Sequence, residues 1–188
     1  MKPGLRMNTH QIKTALRGRI GPHASYVGVL FADQIKSLLR HRVSHRPVLC
    51  IINTLPSYSR ESMGHWIAVC YVRAKLIFFD SFGQDPRIYS WYFQEVTLSR
   101  PVISVVKYNV QVQHMNTLVC GVYAIFFVYN IAKHGLETIP GLICKFFSRS
   151  DYLKNDKKIL EYGYTYFNLP NCYITFRGSR GDPLPCPP

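Results

Sequence analysis

The chain has 188 residues, of which 47% are hydrophobic and 18% charged. That is one domain's length with enough apolar mass for a core, which excludes a disordered or low-complexity protein. Twenty-three Lys and Arg against ten Asp and Glu leave a net charge of +13, more than a domain of this size needs for solubility, so an anionic partner, most simply nucleic acid, is expected.

In chain order, residues 1–21 form a basic arm, expected to be loose or peripheral, with a short helix around Thr9 to Arg17. Tyr26 to Phe31 is a short apolar segment, and Ala32 to Leu39 reads as a helix with Asp33 in its first turn. Val48 to Asn53 (VLCIIN) is a continuous apolar run bounded by prolines, the pattern of a buried strand. After a polar loop come His65 to Val72 (HWIAVCYV) and Leu76 to Phe79 (LIFF), which predict an antiparallel hairpin around Arg73-Ala74-Lys75. A helix is expected from Ile88 to Gln94, a β-branched strand from Pro101 to Val110, and two helices over Gly141 to Phe147 and Asp151 to Tyr162. The Gly-, Pro- and Arg-rich end, 177–188, is expected to be a disordered tail, leaving 1–176 as a single domain.

Between these lies Gln113 to His134, QHMNTLVCGVYAIFFVYNIAKH. The run from Cys120 is apolar nearly all round and closes with Lys133, His134 and Gly135, which predicts a helix buried on every side. Cys120 then sits at the helix start, where the dipole and the first N–H groups favour a thiolate. Taken alone, the residue is equally well a small buried hydrophobe. The pattern as a whole is α+β: helices packed on a mostly antiparallel sheet.

Six cysteines, at 50, 70, 120, 144, 172 and 186, form no C-x-x-C pair. Cys50, Cys70 and Cys144 lie in apolar runs and read as core. No zinc-finger spacing and no Gly-rich phosphate loop occur, so no metal is expected and phosphate binding without base readout is the simplest use of the charge. Basic clusters lie at 40–46 and 177–180. The chain shows no signal peptide and no apolar run long enough for a membrane span, so an intracellular monomer with reduced thiols is expected, with no membrane partner.

Nucleophilic chemistry at Cys120 needs a base, a group that orients the base, and donors for an oxyanion. His65 opens the first hairpin strand and Asp80 closes the second, so a hairpin centred between Val72 and Arg73 makes them cross-strand neighbours; one centred on Ala74 shifts the register by three and still leaves the ring within a carboxylate's reach, and the turn residues leave both open. Each has a plainer role when read alone: His65 as a solvated strand end, Asp80 as a turn cap, Gln113 as a surface amide.

The ordered motifs GHW at 64–66, FFDSFG at 78–83 and VQHMNTLVCG at 112–121, with CIINT at 50–54 upstream, resemble the adenovirus endopeptidase (adenain) family. Its relatives include the Maverick/Polinton-type element proteases and the ubiquitin-like-specific (SUMO) proteases. The resemblance covers about Tyr26 to Gly135, with a weaker echo at Asn155-Asp156. It implies a papain-like α+β fold in permuted order and a thiol protease that cleaves after small residues, typically Gly. Cys120 would be the nucleophile, His65 the general base and then acid, and Asp80 the group that orients it. Gln113 would face the oxyanion, with Trp66 and Gly121 at the substrate cleft. No cofactor is implied for the chemistry itself. DNA is kept as a candidate activator by the charge. A disulfide-linked peptide activator is in doubt, because 101–113 contains no cysteine.

Maturation of capsid or core precursors, in a host nucleus and virion, is the role that follows for a viral protein. A deubiquitinating or deSUMOylating isopeptidase shares the chemistry, and a basic nucleic-acid-binding protein on an inactive scaffold is the alternative of another class.

Overall fold

In the computed structural model, residues 7–41, 45–61, 64–100, 102–108 and 110–169 are described. The tail at 177–188 and part of the basic cluster at 40–46 lie outside them. Helix α1 (Thr9–Leu16) leads into strand β1 (Ser25–Phe31), and a 3-10 segment (Ala32–Arg40) leads to β2 (Val48–Asn53). The hairpin β3 (Trp66–Val72) and β4 (Lys75–Phe79) follows, then α2 (Trp91–Leu98) and β5 (Ser104–Tyr108). Three helices close the order: α3 (Cys120–His134), α4 (Ile139–Phe146) and α5 (Tyr152–Phe167).

The five strands lie in one sheet in sequence order. The two central pairings, β2–β3 and β3–β4, are antiparallel, but β1–β2 and β4–β5 are parallel. The expectation of a mostly antiparallel sheet is therefore corrected to a mixed one. Parallel neighbours need a crossover segment, and the 3-10 segment and α2 are those crossovers.

Alternation along the strands sends side chains into two cores. Trp66, Ala68, Cys70 and Val72 of β3 pack with α1 and α3, whereas Ile67, Val69 and Tyr71 pack with the 3-10 segment and α2. With both faces covered, β2 and β3 lose the polar half of the usual alternation, which is why they read as unbroken apolar runs. Helix α3 occupies the middle of one layer and is buried over nearly its whole length.

Residues 7–21 are no loose arm. Asn8 caps α1 reciprocally with Gln11, through hydrogen bonds of 2.9 and 2.8 Å. Ile12, Ala15 and Leu16, at i, i+3 and i+4, bury one face of α1. The expected helix around Thr9 to Arg17 is present, and the exposed Lys13 lies on its other face, so what net charge concealed was that the helix is docked. A second correction concerns Cys144, which is exposed although its neighbours are apolar, while Cys50 and Cys70 are fully buried.

The hairpin turn has two residues, Arg73 and Ala74, both with positive φ (48° and 60°), and Lys75 already pairs with Val72. That is the twist-compatible turn of tight hairpins, here without the usual Gly or Asn. The ladder runs to Ala68 opposite Phe79. The register thus differs by two from that of a hairpin centred between Val72 and Arg73: continued outward, it sets His65 level with Phe82 rather than with Asp80.

Candidate active site

His65 immediately precedes β3 and is held there by the end of the β2–β3 ladder. Its N–H donates to Thr54 Oγ1 at 2.9 Å, and the Thr54 N–H donates to the His65 carbonyl at 2.9 Å. Asp80 immediately follows β4. Despite the shifted register, the His65 Nε2 and Asp80 Oδ1 are 2.7 Å apart, because both residues have left the flat ladder and a carboxylate spans the remaining offset. Phe82 fills the position the register gives it, stacked on the imidazole with ring centres 4.7 Å apart.

Asp80 is a fixed acceptor. Oδ1 also receives the Phe82 N–H at 2.8 Å, and Oδ2 receives the Tyr89 hydroxyl at 2.7 Å. His65 and Asp80 are only 4% and 2% exposed. With Nε2 on Asp80, the nitrogen left to face Cys120 is the buried Nδ1. The His65 pKa is raised to about 9: burial pulls it down, but the negative charge of Cys120 and the hydrogen bonds of Asp80 and Cys120 outweigh that, with the Asp80 charge adding to them. The raised value favours the protonated ring, the partner that would let a neighbouring cysteine act as a nucleophile at neutral pH.

Cys120 is the first residue of α3, as the sequence predicts, and is 6% exposed. Val119 before it has no side-chain oxygen to cap the turn, and Cys120 sits where the helix dipole favours negative charge. Gly121 packs against the N-terminal segment: a Cβ there would lie 2.9 Å from Met7 Cβ. Trp66 donates from Nε1 to the Met7 carbonyl at 2.9 Å. Met7, Gly64, Asn53 and Trp66 line a cleft of about 330 Å³ beside His65.

Gln113 is fully buried, and its amide orientation is set at both ends. Oε1 accepts from Ser81 Oγ at 2.6 Å, and Nε2 donates to the Thr117 carbonyl at 2.9 Å and to Thr117 Oγ1 at 3.2 Å. Ser81 sits next to Asp80, so the FFDSFG segment steadies both the base and the amide. His114, nearer to Cys120 in sequence than His65, offers its backbone N–H to Asp156. The sequence reading missed Tyr89, Ser81, Phe82 and Met7 as supports. Ser81 and Phe82 lie inside the quoted FFDSFG motif, whereas Tyr89 and Met7 carried no sequence signal.

Among the described residues, no cluster of three or more His, Cys, Asp or Glu could hold a metal, and no helix is long and apolar enough to cross a membrane. No protein-family model and no curated protein matches the chain by sequence. Among solved structures, the chain is similar to the ASFV pS273R protease, at 14% identity and a TM-score of 0.48, covering 88% of this chain and 70% of that one. It is similar to AvrA with IP6 and CoA at 11% identity and a TM-score of 0.42, covering 81% and 59%. For the Legionella pneumophila effector protein RavZ the values are 14%, 0.31, 71% and 52%. These likenesses are partial, and the functional reading rests on the site itself.

Proposed function

We propose that this chain is a cysteine peptidase with Cys120 as nucleophile, His65 as general base and acid, and Asp80 as the group that orients His65. The observation that carries the reading is the buried line from Asp80 through His65 to Cys120, with the 2.7 Å Nε2–Oδ1 contact at its centre. Sγ attacks a peptide carbonyl, the imidazolium gives its proton to the leaving amine, and a thioester forms. Water, deprotonated by His65, then releases the acyl group and restores the thiol.

Gln113 is the proposed oxyanion donor. Its two hydrogen bonds to Thr117 end on one residue and can share one N–H, leaving the other for the substrate. The Cys120 N–H at the start of α3 is proposed as a second donor. The close approach of Met7 to Gly121 and Trp66 supports a narrow cleft and cleavage after Gly or another residue of similar size. The substrate would be a precursor protein or a Gly-ended ubiquitin-like conjugate, which this chemistry treats alike. The net charge of +13 supports nucleic acid as a partner and activator.

The test is hydrolysis of a fluorogenic peptide ending in Gly-Gly, with and without DNA, with Cys120→Ala as control. Turnover by the wild type alone is expected. Equal inertness of both proteins under both conditions would overturn the enzyme reading in favour of a nucleic-acid-binding protein. DNA affinity should fall steeply as salt rises, and a flat dependence would remove nucleic acid as a partner.

A further inference from the structure

Helix α5 reaches the candidate site through two adjacent residues. Asn155 has all its side-chain groups engaged: Nδ2 donates to the Val112 carbonyl at 2.9 Å and the Ser148 carbonyl at 2.8 Å, and Oδ1 accepts the Ser148 N–H at 2.8 Å. Asp156 beside it is fully buried. Its Oδ2 accepts from Thr117 Oγ1 at 2.8 Å and from the His114 N–H at 3.2 Å, and its Oδ1 accepts from the Tyr123 hydroxyl at 2.8 Å. A carboxylate out of water is costly, and burial lifts this one to about 7 against the pull of its three donors. A core helix packs as well with an apolar residue at such a position, so the carboxylate is there for the groups it holds.

Those groups belong to one short segment. Thr117 Oγ1 has one proton and two acceptors, Asp156 and the His114 carbonyl at 2.8 Å. When Asp156 takes that proton, the oxygen lone pairs of Thr117 are left to receive Gln113 Nε2. The His114 N–H fixes the residue next to Gln113, and Asn155 fixes Val112 on its other side, whose carbonyl shares the single Tyr123 hydroxyl proton with Asp156.

We propose that Asp156 is a positioning residue, which holds the 113–117 segment from α5 and, through Thr117, aims the Gln113 amide into the oxyanion site. The proposal rests on the peptidase reading of the same site. The donors to Asp156 are Thr117, Tyr123 and the His114 N–H, which belong to the oxyanion side of the site, so the oxyanion donor should depend on it more than the nucleophile does.

The experiment compares wild type, Asp156→Asn and Thr117→Val, each checked for a cooperative melt. The Asn variant keeps the shape and turns an N–H against two donors. In peptide hydrolysis both variants should lose about 10- to 100-fold in kcat, with KM within about threefold, as for a weakened oxyanion donor. The double variant should be no worse than the poorer single one, because both act through one contact. The rate of Cys120 alkylation by iodoacetamide should stay within about twofold of wild type, since a small alkylating agent needs the ion pair and no oxyanion donor. A readout free of turnover is the side-chain amide NMR signal of Gln113, expected to be sharp and slow to exchange in wild type and broadened in both variants. Unchanged kcat, equal losses of alkylation and turnover, additive losses in the double variant, or an unchanged Gln113 signal would each overturn the proposal. Should wild type hydrolyse nothing, the Gln113 signal alone decides this inference, while the hydrolysis failure counts against the peptidase reading. Should Asp156→Asn not fold, Thr117→Val carries the same comparison.

Discussion

Among the described residues three cysteines lie in the interior, and they occupy two kinds of place. Cys50 and Cys70 are central in β2 and β3, with apolar side chains on every side. Burial pushes the Cys70 thiol up to about 12 and Cys50 well above its usual range, Cys50 being repelled further by Cys70. Such groups stay protonated at neutral pH and serve as packing. Cys120 is almost as dry, yet it starts a helix and faces an imidazole that Asp80 holds. Burial is common to both places, so it does not make a nucleophile. What distinguishes Cys120 is a matched positive charge within the same dry volume, where charges act through a low dielectric.

The largest expected effect breaks this comparison outright. Cys120→Ala should lower kcat/KM for a Gly-ended peptide by about 10³-fold or more. Cys70→Ala should leave kcat/KM within about twofold and instead cost about 1–2 kcal/mol of stability, the cost of a small core deletion, read from urea unfolding. If the second variant lost activity and kept its stability, the contrast between the two sites would be wrong.

Next comes the carboxylate. Asp80→Asn should cost about 10²- to 10⁴-fold in kcat, by analogy with the orienting acid of other triads. It should also displace the alkaline limb of the pH–rate profile. In wild type that limb should follow His65, whose pKa is raised to about 9. Removing the Asp80 charge withdraws one of the supports of the raised value, so the limb should move to lower pH.

The same group links to stability. A histidine whose folded pKa is raised to about 9 from 6.5 binds more protons folded than unfolded across that window. Its contribution is therefore complete below about pH 6.5 and lost as pH rises to about 9. Urea midpoints should fall across this range in wild type and flatten in His65→Gln. A slope that survives the substitution would assign the titration to another group.

The smallest effect sharpens the second layer of the site. Tyr89→Phe removes one of three hydrogen bonds to Asp80. The expected cost is about 1 kcal/mol, less than tenfold in kcat, read from steady-state peptide hydrolysis.

Much of the fold was legible because its signals are local. Val48 to Asn53 and Cys120 to His134 appear with the ends expected for them, since a turn or cap residue stops each run of apolar side chains. The hairpin was legible as a hairpin but its register was not. Arg73 and Ala74 adopt a turn that neither residue favours, so the sheet on both sides imposes it. The docked α1 was misread because charge was averaged over the segment, while burial depends on which face each residue occupies.

For the site, sequence by itself determined the candidate groups and their order: a histidine before one strand, an aspartate after the next, an amide, and a cysteine at a helix start. Those are properties of residue type and of local periodicity. Tertiary structure alone decided how they are held. Tyr89 on Asp80, Ser81 on Gln113, Met7 against Gly121 and Asp156 under Thr117 join residues distant in the chain or unmarked in composition. A hydrogen bond of 2.6 to 2.8 Å depends on where whole elements come to rest on one another. That placement is fixed by packing the two cores on either side of the sheet, and no stretch of sequence contains it.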